Sequence, residues 1–442
     1  MGKIVRFVVA TLREAIKGPP VYYLWMVTLA VISMVGVYGY AQQFEHGLAV
    51  TSLTDAVSWG AYIANFTFLV GLAAAAVMVA IPAHAFHHEA LHKVVFVGEL
   101  LAIAAVMMCI LFVMVDMGHP ELAWHFAPWI AKPNFPVSML VWDVIVLNGY
   151  LFINVILFFH ALYRRFEGKP KDKFYVPLIF VAMVWAISVH TVTAFLYGWL
   201  GARPYWNSAI VAPRFLASAF VAGPAFLLPV LWIMKRFARF PVPEGAFSTL
   251  RRILSITMLV DLFLFGSEIF TDLYTGSAHA APMTYLMIGH GGHTALRPWI
   301  WSALVMELIA VSMLLIPGLG KKVPVMLTAC VFAFIGVWIE KGMALIIPGL
   351  VPTPLGEYVD YDPSLIELQI TAGIWAIGML FFSFSLKIAM AIESGKLRDT
   401  VTLGPEAVAS DASEPTEPTE PTEPTEPAEP AAEPQEAALP AS

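Results

Sequence analysis

Charge is what this sequence lacks first. Lys, Arg, Asp and Glu make up 13% of its 442 residues, where a soluble domain carries about 25%, so most of its surface must face something other than water. Cysteine is nearly absent: Cys109 and Cys330 stand alone inside apolar runs, which excludes a disulfide framework and the four thiolates of an iron–sulfur cluster. Basic residues are missing from residue 405 onward, where ten acidic groups and a recurring EPT triplet stand. Without that stretch the net charge of −7 becomes +3. Such a composition cannot pack a core, so residues 396–442 read as a disordered, acidic, Pro/Glu/Thr-rich cytoplasmic tail.

What is present is hydrophobicity, at 59% of the chain. Apolar runs of about 20 residues, the length that crosses a hydrocarbon core about 30 Å thick, recur from residue 22 to residue 391. The breaks between them predict ten spanning helices near 22–40, 58–82, 94–117, 138–163, 175–200, 210–236, 250–274, 297–316, 323–347 and 368–391. The fold class is therefore all-α integral membrane, with a ten-helix domain over 21–395. The opening MGKIVRFVVATLREAIKGPP has apolar residues at helical spacing with Lys and Arg between them and no small-residue cleavage site. It reads as an uncleaved amphipathic cytoplasmic helix over 1–20.

Basic residues decide the orientation. The N-terminal side would hold 20 of the 25 Lys and Arg residues, leaving Lys132, Arg203, Arg214, Arg297 and Lys341 for the other side. Both termini are then cytoplasmic, in the inner membrane. A weak internal repeat, from Val176 and again from Val323, suggests two four-helix bundles, predicted helices two to five and six to nine, with one and ten peripheral.

Ionisable groups inside the spans carry the functional information, because each costs several kcal/mol in hydrocarbon unless it faces a cavity or a partner. At about 1.5 Å per residue from the cytoplasmic entries, Glu99 lies about 9 Å deep, Asp261 about 16 Å, His190 and Glu340 about 24 Å and Glu268 about 27 Å. Glu307 falls near the middle. Asp261, Glu268 and Asp272 share one stripe of predicted helix seven. They either lock the bundle through hydrogen bonds or form a proton-linked site, since burial suits a carboxyl group to proton exchange.

His190, with no charge on its own helix, can donate from one ring nitrogen and accept at the other. That suits a quinone carbonyl or a quinol proton; a core histidine bonded to a backbone carbonyl is the plainer reading. Haem would need two facing axial ligands, and His84, His87, His88, His92 and His160 cluster instead at the cytoplasmic helix ends. His290 and His293 read as loop or docking residues. Trp124, Trp129, Tyr205 and Trp206 suggest an aromatic outer surface suited to a docked protein or a quinone tail.

Three stretches carry a resemblance: WGAYIANFTFLVGLAAAA from Trp59, SVHTVTAFLYGWLGARPYWNSAIVAPRFLASAFVAGPA from Ser188 and FLFGSEIFTDLYTG from Phe263. Through them the chain resembles the NrfD/polysulfide-reductase-type membrane subunits. Its ten-helix form is most similar to the DsrP/HmeC branch found in sulfate-reducer membrane redox complexes. The resemblance implies a subunit without haem or iron–sulfur cluster that binds menaquinone near its outer face. It also implies partners: a periplasmic ferredoxin-like iron–sulfur subunit, multihaem cytochrome c, and further membrane and cytoplasmic redox subunits, with no nucleic acid. By position, His190, Glu268 and Asp116 would be catalytic, and Asn65, Arg214, His190 and Glu268 would line the quinone pocket. Asp261, Glu307 and Glu99 would relay protons, and no residue would bind metal.

The expected function is exchange of electrons between menaquinone and a periplasmic partner in a respiratory complex, with proton translocation as a further expectation. Two alternatives stand beside it: a secondary transporter or ion channel, and a purely structural membrane anchor. The Gly223–Pro224 pair and Pro229 could kink predicted helix six, and the sequence offers no matching break in the second half to support a transporter.

Overall fold

The computed structural model describes residues 3–126, 133–169, 173–276 and 280–398. Among them, ten helices are long and apolar enough to cross a membrane. They are α1 (Pro20–Val50), α2 (Ala61–Ala85), α3 (Val95–Asp116), α4 (Met139–Phe166), α5 (Tyr175–Gly198), α6 (Val211–Arg236), α7 (Glu244–Tyr274), α8 (Arg297–Leu315), α9 (Val323–Leu350) and α10 (Leu365–Glu393). The described residues contain no β-strand, as lipid requires: helices satisfy their own backbone groups where water cannot. The acidic tail from residue 399 onward lies outside the described residues, as do Trp129 and Lys132.

Helices α2 and α3 form the centre. Their most apolar windows are 89% and 83% buried, against 17% for α1. A helix that is apolar on every side has no face to offer water and belongs in a core, and the small side chains of the Gly71–Ala76 stretch let neighbours approach closely. Helix α2 packs on α3, α6, α9, α5 and α10, and α6 to α9 close a ring of their own through α6–α7, α7–α8, α8–α9 and α9–α6. Helix α10 packs on α1, α2, α3 and α4. At its contact with α1, Gly36 meets Gly373 so closely that a Cβ on Gly36 would stand 2.5 Å from the Gly373 Cα. The amphipathic helix Lys3–Ile16 lies against the base of α4, where Phe7 contacts the Tyr163 and Phe166 rings at 5.5 and 5.2 Å.

Two spans are interrupted. Helix α2 breaks at Ala74 and ends in a π-turn at Ile81–Ala85, and α9 contains a π-turn at Ile339–Met343. Helix α9 nevertheless stays a single span through its π-turn, and the composition gave no sign of that turn. Helix α6 runs unbroken through Pro224 and Pro229. A proline cannot donate to the carbonyl four residues back, and at Pro224 and Pro348 a neighbour supplies the missing donor. Thr257 of α7 donates to Phe220 O at 3.0 Å, beneath Pro224. Tyr205 donates to Ala344 O at 3.0 Å, beneath Pro348 of α9.

Tyr205 and Trp206 are consequently not the outer aromatic surface that their loop position suggested. They are 3% and 0% exposed. Trp206 donates to Leu345 O and Arg203 to Leu350 O, both at 2.8 Å, so three residues of the α5–α6 loop complete the last turns of α9.

Candidate functional site

The π-turn of α9 places two consecutive charged residues inside the bundle. An i→i+5 turn inserts one residue and reorients the side chains that follow, a distortion that recurs at functional sites. Glu340 and Lys341 are 2% and 3% exposed. Lys341, assigned from sequence to the outer-side charges, is therefore an interior residue. Its Nζ donates to Phe215 O at 3.0 Å and stands 4.5 Å from the centre of the Phe215 ring. Gly71 of α2 leaves room for it: a Cβ there would lie 2.8 Å from Nζ.

Arg214, at the start of α6 and 6% exposed, joins this pair to α7. Its Nη1 donates to Glu268 and its Nη2 to Glu340, and its guanidinium lies 4.6 Å from the centre of the Phe265 ring. One cation thus bridges carboxylates from two helices, the arrangement by which buried charges are tolerated. Asp261 lies within electrostatic reach of Glu340, Arg214 and Lys341, and Glu307 within reach of Glu340, Asp261 and Arg214. Asp261 Oδ1 and Glu307 Oε1 are buried and accept no hydrogen bond from the described residues. A cavity of about 10 Å³ beside the cluster is lined by Arg214, Glu340, Lys341, Phe215 and Ser218. That is room for one water and not for a quinone ring.

His190 of α5 is 2% exposed and lies within electrostatic reach of Lys341. Its Nδ1 is 2.7 Å from Ala186 O, while Nε2 is buried near the backbone of Val70 and Gly71 and makes no hydrogen bond of good geometry among the described residues. Asn65 is committed elsewhere. Its Oδ1 accepts from Trp338 Nε1 of α9 at 3.0 Å and Trp375 Nε1 of α10 at 2.9 Å, and its Nδ2 donates to Ala61 O at 2.8 Å.

Asp116 ends α3, and its Oδ1 is buried without a hydrogen-bond partner among the described residues. Its neighbour Met117 lines a cleft of about 300 Å³ with Tyr40, Gln43, Phe44 and His119, a volume within the range of small-molecule sites. Glu99 lies apart from the cluster and accepts from Tyr175 at 2.9 Å.

Two further polar links escaped the sequence reading. Thr193 donates to the buried Asp143 of α4 at 2.6 Å. Glu367, at 0% exposure, accepts from Ser52 N at 2.8 Å, Ser364 N at 2.9 Å and Tyr361 OH at 2.5 Å. Burial and the Glu367 carboxylate hold the Tyr361 hydroxyl above its ordinary pKa. Asp143 begins a span and Glu367 opens another, positions where acids are common, so neither stood out. Of the loop histidines, His293 pairs with Asp360 at 3.2 Å and His290 stacks on Tyr358 at 4.1 Å.

A bundle with this buried network, and with helices over its whole matched length, can be set beside known proteins. The model of the NrfD polysulphide reductase family matches residues 49–353. The chain belongs to that family.

Among its relatives is a dimethyl sulfoxide reductase membrane subunit of Halobacterium salinarum, 26% identical over 82% of this chain and 90% of that protein. The Hdr-like menaquinol oxidoreductase integral membrane subunit of Archaeoglobus fulgidus is 23% identical over 88% and 98%. A selenate reductase subunit of Mesobacillus selenatarsenatis is 24% identical over 84% and 95%. The NrfD match begins before α2 and ends just past α9, so all of α10 and all but the last two residues of α1 lie outside it.

Proposed function

We propose that this chain is the quinol-interacting membrane subunit of a multisubunit redox complex. It would exchange electrons between menaquinone and an iron–sulfur or cytochrome c partner at the face opposite its termini. The observation that carries the reading is the buried set of Arg214, Lys341, Glu268, Glu340, Asp261 and Glu307 near a histidine whose Nε2 makes no hydrogen bond of good geometry among the described residues. The printed names of the relatives, a menaquinol oxidoreductase subunit and two reductase subunits, support it.

The residues fit a quinone by chemistry. Menaquinol, when bound, supplies two electrons and two protons. His190 Nε2 and Asp116 Oδ1 are, with Asp261 Oδ1 and Glu307 Oε1, among the buried polar atoms without a hydrogen-bond partner in the described residues. The cleft lined by Met117, the residue after Asp116, has the volume for a head group. In this reading His190 and Asp116 act as proton acceptors. Arg214 fixes the charge of Glu268 and Glu340, and Asp261 and Glu307 pass protons along α7 and α8, with Glu99 nearer the other end.

The test is quinol-dependent reduction of the intact complex, wild type against His190→Ala, Asp116→Asn and Glu268→Gln, with subunit stoichiometry measured alongside. Loss of turnover in a fully assembled complex is expected. Wild-type turnover in all three variants would reduce the chain to an anchor. Charge movement across proteoliposomes during turnover tests proton translocation, and its loss in Glu307→Gln with electron transfer retained is the expected result.

A further inference from the structure

At the end of the bundle where α1 begins and α10 finishes, the α6–α7 turn and the α8–α9 turn line a cleft of about 750 Å³. Its charged lining is Lys235, Arg236, Arg239, Arg251 and Lys321 against a single acid, Glu244. Glu244 is taken by Lys235. Arg251 ties the two turns together by donating to Gly320 O at 3.1 Å. Arg236, Arg239 and Lys321 are exposed and have no carboxylate partner among the described residues. Arg239 holds a φ of +53°, a left-handed conformation that L side chains adopt at a cost.

The uncharged lining is Trp232, Phe247, Val323 and Met326 with Gly245 and Ser248, and exposed Ile256, Leu259 and Phe263 lie further along α7, as Val331 and Ile335 do along α9. The cleft therefore combines a cationic lining with exposed apolar side chains on the spans that leave it. A ligand that satisfies both halves carries an anionic phosphate and acyl chains, and basic pockets between spanning helices bind such head groups. A nucleotide or free phosphate would satisfy only the cationic half.

We propose that this cleft binds one anionic phospholipid, its phosphate among Arg236, Arg239 and Lys321 and its acyl chains along the exposed faces of α7 and α9. The neighbours Arg252 and Lys322 share the same end of the bundle and do not line the cleft, so they separate a built site from a general basic surface.

The experiment is native mass spectrometry of the full-length protein released from nanodiscs that contain phosphatidylglycerol and phosphatidylcholine. Wild type is expected to retain one phosphatidylglycerol in preference to phosphatidylcholine. The triple variant Arg236→Gln, Arg239→Gln, Lys321→Gln should bind it roughly a hundredfold more weakly, at about fivefold per cation. The charge-preserving Arg236→Lys, Arg239→Lys, Lys321→Arg and the neighbouring Arg252→Gln, Lys322→Gln should both retain it. Equal loss in the neighbouring pair, or full retention in the triple glutamine variant, overturns the site. Displacement of the lipid by inorganic phosphate at equal concentration overturns the choice of a lipid. A photoactivatable phosphatidylglycerol on the wild-type protein gives a readout independent of any variant: labelling on 232–251 and 321–335 is expected, and labelling confined elsewhere overturns the proposal.

Discussion

Arg214 and Glu340 stand 126 residues apart in the chain, and the guanidinium of one is hydrogen-bonded to the carboxylate of the other inside an apolar bundle. Glu268 shares the same guanidinium, so a single side chain holds α6, α7 and α9 in register. Removing one member of a buried ion set strands the others, at about 3–5 kcal/mol. Arg214→Ala should therefore unfold earlier in detergent titrations by about that amount. Glu340→Gln, which keeps a hydrogen-bond acceptor, should cost distinctly less. Equal unfolding midpoints for wild type and Arg214→Ala would show that the cluster contributes nothing to holding these helices.

Asn65 should behave as a clamp. Its one oxygen accepts from the indoles of Trp338 and Trp375, and Asn65→Leu leaves both N–H groups buried without a partner, at about 1–3 kcal/mol each. The expected result is a loss of stability with a change in tryptophan fluorescence. Asn65→Asp, which keeps an accepting oxygen, should preserve the fluorescence. If Asn65→Leu instead abolishes quinol turnover at unchanged stability, the residue acts on the quinone and not on the indoles.

Glu367 ties the α1–α2 loop to the start of α10 through Ser52, Ser364 and Tyr361. Hydrogen bonds to a charged acceptor contribute about 1.5–3 kcal/mol each, so Glu367→Ala should lose at least about 3 kcal/mol. Protease nicking between residues 47 and 60 should accelerate as well. Tyr361→Phe removes only one of the three donors and should show a fraction of both effects.

The glycine contact between α1 and α10 permits a sharper test of packing. A Cβ at Gly36 would stand 2.5 Å from the Gly373 backbone, and α1 packs chiefly on α10. Gly36→Leu should push α1 away from the bundle, seen as new crosslinking accessibility of Ser33 and Gln369. The α6–α9 ring should stay intact, because it makes no use of this contact.

The spans were legible because lipid enforces one simple rule: about 20 apolar residues, then a break. All ten expected runs are helices, and for most of them both ends fall within about three residues of the expectation. The stripe of acids on α7 was legible for a related reason, since a charge in an apolar run stands out. The partners of those acids were not. Lys341 lies near the end of its run, which reads as a water-facing position until the π-turn at Ile339–Met343 draws it inward. Hydropathy cannot register a one-residue insertion in a helical turn. Nor could it show that Tyr205 and Trp206, in a short polar loop, are buried against the end of α9. Tyr205 is held there by the Ala344 carbonyl that Pro348 frees and Trp206 by the Leu345 carbonyl, bonds that hydropathy does not register.

Pro348 also makes α9 a helix that does not complete itself. Its last turns receive donors from Arg203, Tyr205 and Trp206, all in one loop at the face opposite the termini. That loop is thus a handle on the charges a few residues upstream. A protein seated on it that shifts Tyr205 and Trp206 by the length of one hydrogen bond strips α9 of two donor contacts, and Glu340 and Lys341 must move with the helix that carries them.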